Sequence, residues 1–370
     1  MHMRKQEVVQ TAEIGKRKDR YAQRLRMTIG KISLVFCLIL VAVPVVFMGN
    51  APSVYAACTL QNPIVSPGQD PSIWYANGLY YLVQSENGGI WLRAASTLGG
   101  LASGQHQQIW APPAGTSYSQ EIWGPEIEYL NGQWIIYFAA DDGNNNNHRI
   151  YAITANSNDP MGSWSFFGEV EDPTNEWAID PTVFYYNNNW YELWSGTPPG
   201  NGGAAPQQIY IAHMSDPLHV DEPYRKLIAN PDQTWETSVQ AIEEGPEAFI
   251  GPNNKLTIVY SANASWTSSY NLGELIYNGG DMGYYASYTK VGPIFSSGGG
   301  VYGPGHLSLP VPGTNGGYWM VYHAKTVASD GWGDRKIFAQ PQTWNSDGTP
   351  NFGGGPRGYT SFDESSYQAC

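Results

Sequence analysis

"AIDPTVFYYNNNWYELWSG", residues 178–196, sets an acid and a proline ahead of an apolar run, an Asn-rich turn and a second aromatic run. Aromatic and β-branched residues fit a pleated surface, and Asn tolerates the left-handed backbone of a tight turn, so the stretch reads as a β-hairpin. The same plan recurs at "QDPSIWYANGLYYLVQS" (69–85), "WGPEIEYLNGQWIIYFA" (123–139), "EGPEAFIGPNNKLTIVYS" (244–261) and "GPGHLSLPVPGTNGGYWMVYH" (303–323). Pro71, Pro125, Pro181, Pro246 and Pro304 mark the five copies, at intervals of 54, 56, 65 and 58 residues. Repetition on this scale points to a propeller or a solenoid.

Each copy continues into a third run: "IWLRAAS" (90–96), "RIYAITA" (149–155), "QIYIAHMS" (208–215), "MGYYASY" (282–288) and "RKIFAQP" (335–341). A fourth strand would complete a blade. The expected fold is therefore all-β: a five-bladed β-propeller of four-stranded antiparallel sheets, which also protects its sheet edges. No stretch keeps a 3.6-residue apolar period, and 42 Gly, 26 Pro and 14 % aromatic residues suit a turn-rich β protein. No Pro/Ser linker separates the copies, so residues 57–370 read as a single domain.

Ahead of that domain, an apolar run from Ile32 to Met48 follows a Lys/Arg-rich segment and precedes Val54-Tyr55-Ala56, the layout of a secretory signal. Residues 1–56 are read as signal, with Met27 as the working start. The alternative, an uncleaved anchor, is disfavoured because the run contains Pro44 and falls short of the roughly 20 apolar residues a span needs. Nine of the 19 basic residues but only three of the 32 acids lie in this segment, leaving the mature chain with 10 positive and 29 negative side chains. Such a balance argues against nucleic acid or anionic lipid as partner. Cys58 and Cys370 stand at the two ends of the mature chain, where a disulfide would join the first blade to the last.

Asp70, Glu126, Asp180, Glu244 and His306 stand beside or within the five marker motifs, at the entrance to the strand that would line the channel. One Asp before Pro is an ordinary turn former. Recurrence of acids in different blades asks for more, because carboxylates gathered near one axis are costly unless they bind a cation, share protons or do chemistry. Glycoside hydrolysis with inversion uses two such groups, one protonating the leaving oxygen and one activating water from the opposite face, roughly 6.5–9.5 Å apart. A third carboxylate can raise the pKa of the acid.

"QDPSIW", "WGPEIEYLNGQWIIYF", "AIDPTVF", "EEGPEAF", "YGPGH" and "DRKIFAQPQTWNSDGTPNFG" resemble the blade motifs of glycoside hydrolase family 43. The last of these, with "SANASWTSSYNLGEL" (261–275), is most similar to its α-L-arabinofuranosidase members. The resemblance implies an inverting hydrolase with Asp70 as general base, Glu244 as general acid and Asp180 as the carboxylate that orients and tunes the acid. It also implies that His306 contacts a calcium ion in the central channel through a largely water-filled shell. The competing reading of His306 is a histidine held by strand hydrogen bonds. Glu243 and Glu247 compete with Glu244, which is preferred because it directly precedes Gly-Pro.

For substrate binding, Trp74, Trp123 and Trp194 are candidate stacking platforms, with inter-blade filling as their alternative. Arg335 is a candidate for sugar hydroxyls or for an ion pair with a channel acid, and Glu126 is read as structural or substrate-binding. "DDGNNNNHR" (141–149) reads as a polar loop, with calcium binding as an alternative. The resulting expectation is a secreted, extracellular enzyme releasing arabinofuranosyl residues from plant cell-wall polysaccharide (arabinan or arabinoxylan side chains), acting exo on α-1,5 linkages. It would use no organic cofactor, no nucleic acid and no membrane after signal cleavage. The rivals are an endo-arabinanase, a β-xylosidase or a galactofuranosidase on the same fold, and a non-catalytic glycan-binding propeller. Fructan and sucrose hydrolases share five blades, but their "NDPNG"-like and "EC" motifs are missing.

Overall fold

The computed structural model describes residues 59–170, 172–313 and 317–363. The expected signal segment and both Cys58 and Cys370 lie outside the described residues. Five antiparallel sheets follow one another along the chain, each opening on a marker motif. The first comprises Ser72–Ala76, Leu79–Glu86, Gly89–Ala95 and Gln105–Trp110. The second comprises Gln120–Leu130, Gln133–Asp141, Arg149–Ala155 and Trp164–Glu169. The third is built from Ala178–Tyr186, Asn189–Gly196 and Gln208–Asp216, with two short outer strands, His219–Val220 and Lys226–Ala229, both pairing the last of these. Glu243–Ile250, Leu256–Ala262, Asn271–Tyr277 and Tyr288–Phe295 form the fourth. The fifth orders Tyr302–Leu307, Tyr318–Lys325, Arg335–Trp344 and Pro350–Asn351, with Val311–Pro312 beside its second strand.

Local sequence explains the hairpins. Asn77-Gly78, Asn87-Gly88, Asn131-Gly132 and Asn187-Asn188 all hold positive φ at both turn residues. That is the two-residue turn whose twist matches the flanking strands. In the fourth sheet the expected third strand is corrected. "MGYYASY" is not a strand: Gly279 and Gly280 at positive φ break the chain, Asp281 accepts from the Gly283 N–H, and Tyr285–Ser287 forms a 3-10 turn. The ladder runs instead through Asn271–Tyr277, opposite Thr257–Ala262.

Apolar side chains pack between neighbouring sheets. Phe184, Leu193 and Ile211 of the third meet Ile258, Tyr260 and Leu275 of the fourth, and each such burial contributes about 1.5–3 kcal/mol. The ring closes through the chain ends, where Thr59–Gln61 pairs antiparallel with Ser361–Asp363. Leu60 and Phe362 then join Trp319 and Ile337 in one cluster.

The feature that builds the site is an irregularity shared by all five blades. The residue before each marker proline has positive φ: Asp70 (42°), Gly124 (47°), Asp180 (52°), Gly245 (52°) and Gly303 (55°). In blades two to five the ladder register shifts across this point, so the strand bulges and re-aims its side chains. Glycine adopts this conformation freely, whereas other residues resist it. Three blades use glycine here and two use aspartate, so Asp70 and Asp180 occupy equivalent positions. The other marker residues are offset: Glu244 precedes the bulge residue by one, Glu126 follows it by two and His306 by three.

Candidate active site

A cavity of 360 Å³ opens where the inner strands begin, within the size range of small-molecule sites. Its polar lining includes Asp70, Asp180, Glu244, His306 and Arg335, and its aromatic lining is Trp123, Trp177, Trp266 and Trp332. The structure therefore brings together six of the nine residues singled out in the sequence.

Asp70 is surrounded by cationic and imidazole groups. Arg335 Nη1 lies 3.2 Å from its Oδ1, His323 Nδ1 3.1 Å and His306 Nδ1 3.4 Å. Burial opposes ionisation, but Arg335, His306 and His323 outweigh it and hold Asp70 well below the ordinary carboxylate range. Glu244 has the opposite setting. Burial and the nearby Asp180 charge push it up to about 8, although the Tyr270 hydroxyl donates to its Oε1 at 2.8 Å. Asp180 is itself raised to about 7 by burial and by Asp70, while its Oδ2 accepts the Gly245 N–H at 3.0 Å. The bulge glycines make this contact possible: a Cβ on Gly124 would stand 2.6 Å from Asp180 Oδ1. His323 is fully buried, which lowers its pKa to about 4, and its ring stacks on Tyr270.

The doublet at 243–244 resolves as strand geometry requires, its members pointing to opposite faces. Glu244 faces the cavity, whereas Glu243 is buried against Lys290 Nζ at 2.6 Å. Glu247 accepts from Thr182 Oγ1 and is hydrogen-bonded to the Glu126 carboxyl, and burial with neighbouring acids pushes both well above the ordinary carboxylate range.

Three expected binding residues are placed elsewhere. Trp194 is fully buried, stacked on Tyr210 and packed against Tyr137 and Ala152 of the second blade, so no sugar can reach it. Trp74 lies in the strand Ser72–Ala76, four residues beyond Asp70 and outside the cavity lining. There it lines a separate groove with Ile250, Pro310 and Tyr318. Glu126 is buried beside Ser72 and Glu247 and does not line the cavity, because two residues past the bulge its side chain points into the channel.

Sequence reasoning missed Trp177, Trp266, Trp332, Tyr270 and His323. Trp177 adjoins the "AIDP" motif, and Tyr270 lies within "SWTSSYNLGEL", so motif adjacency was the available signal. The polar stretch at 141–149 also reaches the site: Asn145 lines the cavity and its carbonyl accepts from Trp177 Nε1 at 2.8 Å. Within that stretch His148 Nδ1 is 3.2 Å from Asp141 Oδ2, and the His148 ring stacks beneath Trp123. Glu121 places a carboxylate oxygen within 4.8 Å of both.

Residues 60–350 match glycosyl hydrolases family 43. The chain belongs to that family. It is 32 % identical over 339 residues to an extracellular exo-α-(1→5)-L-arabinofuranosidase of Streptomyces avermitilis, covering 86 % of this chain and 69 % of that one. It is 31 % identical over 311 residues to α-L-arabinofuranosidase B of Pyricularia oryzae, covering 79 % of this chain and 62 % of the relative. Among solved structures, an α-L-arabinofuranosidase from Lactobacillus brevis superposes with a TM-score of 0.74 at 33 % identity, over 81 % of this chain and 98 % of its own. The protein is thus a family-43 glycosidase with a five-bladed propeller fold. Among the described residues no helix is long and apolar enough to cross a membrane.

Proposed function

We propose that this family-43 glycosidase is a secreted, inverting α-L-arabinofuranosidase that removes terminal residues from plant cell-wall polysaccharide, acting exo on α-1,5-linked arabinan. One observation carries the chemistry: a single cavity holds one carboxylate kept ionised and another kept protonated, the division of labour an acid–base pair requires. Asp70 takes a proton from water as the water oxygen bonds to the anomeric carbon. The glycosidic bond breaks, and the departing oxygen receives the Glu244 proton. Asp180 keeps Glu244 protonated and, through the Gly245 N–H, fixed in place. Names of similar proteins support the arabinofuranosyl specificity and the extracellular location.

Calcium belongs to the same reading. Oxygen-rich surroundings suit that ion, and the buried, mutually repelling carboxyls of Glu126, Glu128 and Glu247 fit a channel that takes up positive charge. His306 would hold the ion together with water, and its charge would offset the channel carboxylates. Elemental analysis after dialysis checks this, and protein free of calcium under calcium-replete conditions would remove the ion from the scheme. N-terminal sequencing of exported protein tests the signal, with Ala57 as the expected first residue.

The deciding experiment incubates the protein with linear α-1,5-arabinan and follows the earliest products by chromatography. Arabinose alone is expected. Mixed oligosaccharides would mean endo action, and absence of product would sink the arabinan reading.

A further inference from the structure

Two rim residues have no part in the chemistry above. Trp266 lies in the turn after the second strand of the fourth blade, and Trp332 lies in the loop between Tyr318–Lys325 and Arg335–Trp344 of the fifth. Their rings meet edge to face at 5.5 Å, and both line the cavity. Trp332 is 53 % exposed, which is costly for an indole with no task at the surface.

The two loops are stapled together. The Gly331 N–H donates to the Trp266 carbonyl at 2.7 Å, and Trp332 Nε1 donates to Ser265 Oγ at 3.2 Å. Beneath them Lys325, 1 % exposed, donates through Nζ to the carbonyls of Trp266 (2.8 Å) and Ser329 (3.0 Å). An ammonium buried on two loop carbonyls fixes both loops at one point.

The position of this pair within the cavity is informative. The turn that carries Trp266 leads directly into Tyr270, whose hydroxyl holds Glu244. The Trp332 carbonyl accepts from the N–H of Arg335, whose guanidinium pairs with Asp70, so the braced loops connect to both carboxylates. The half-exposed Trp332 ring stands at the mouth of the cavity, where the leaving group of an exo-acting enzyme lies.

Resting on the assignment of Glu244 as general acid, we propose that Trp332, braced by Trp266, is the platform on which the first sugar of the leaving group stacks. Lys325 is the positioning residue that holds it there. The enzyme would then prefer oligosaccharides to simple glycosides, since a ring stacked on an indole gains contact that a methyl aglycone cannot make.

The test compares kcat/KM for α-1,5-arabinotriose with kcat/KM for methyl α-L-arabinofuranoside. Trp332→Ala should lower the ratio of the two about tenfold, the size of an aromatic stacking contribution. Lys325→Met should lower it similarly, and the double variant should fall no further than the larger single effect, because Lys325 acts through Trp332. Should Lys325→Met fail to fold, Trp332→Ala decides alone. A ratio within twofold of wild type in Trp332→Ala overturns the platform while leaving the arabinofuranosidase reading standing. A wild-type enzyme inert on both arabinosides overturns that reading, and the platform for an arabinosyl leaving group with it.

Discussion

Asp70 and Glu244 face one cavity under opposite electrostatic settings, and each should fail in its own way. Glu244→Gln keeps the shape but has no proton to give, so kcat is expected to fall about 10²- to 10⁴-fold with an unchanged circular dichroism spectrum. A variant with near-wild-type turnover would remove Glu244 from the chemistry. The pH profile follows from the same settings. Asp70 remains ionised through the working range, whereas Glu244 must keep the proton it loses as pH rises through about 8. Activity should therefore hold on the acid side of neutrality and decline above about pH 8. Asp180→Asn removes the charge that raises Glu244, so the alkaline limb should move to lower pH, and an unmoved limb would deny Asp180 its tuning role. At this scale the acids were legible in the sequence because their motifs repeat. Trp74 and Trp194 were misplaced because an aromatic on a strand looks the same whether it faces a neighbouring blade, the far groove or the cavity.

Among elements, the bulge at each marker proline decides what reaches the cavity. A backbone at positive φ turns the side chain out of the ladder toward the axis, and aspartate accepts that conformation at a cost of roughly 1–2 kcal/mol. Where no carboxylate is needed, glycine removes the cost and the bulk together. Gly124→Ala would introduce a Cβ 2.6 Å from Asp180 Oδ1, in a conformation that alanine resists. Turnover is expected to fall at least tenfold while the protein stays folded. A fully active Gly124→Ala enzyme would show that the Asp180 position tolerates displacement. The Asp-Pro and Gly-Pro pairs were visible in the sequence, but their common backbone was not, so Glu126, Glu244 and His306 were aligned with a position that only Asp70 and Asp180 share.

For the whole molecule, two features set stability. The channel and inter-blade spaces bury acids: Glu192 has both carboxylate oxygens buried without partners, and burial pushes it to about 8 from an ordinary 4.5. A folded state that binds its proton more tightly than the unfolded chain loses stability as pH rises from about 4.5 through about 8. The thermal midpoint should fall across that window, and Glu192→Gln should flatten the fall, standing about 2 °C or more above wild type at pH 9. Equal midpoints at pH 9 would mean that Glu192 is relieved by some other group. The second feature is closure. Ending the chain at Thr360 removes the Ser361–Asp363 strand and the Phe362 ring packed on Trp319, so calorimetry should show a lower midpoint. An unchanged midpoint would assign closure to contacts such as the Ile64–Ile337 hydrogen bond instead.

By itself the sequence determined the strand-turn-strand plan, the fivefold repetition and the residue types of the acid–base machinery, because hydrogen-bonded turns and alternating burial are local and leave their period in the chain. Tertiary structure alone decided which side chains share the cavity. That depends on bulges that re-aim single residues, on loops from different blades meeting at Trp266 and Trp332, and on Arg335 lying beside an acid 265 residues away. The contacts between blades arise only on packing, and the one between Arg335 and Asp70 only when the last blade meets the first, so no short-range pattern encodes them.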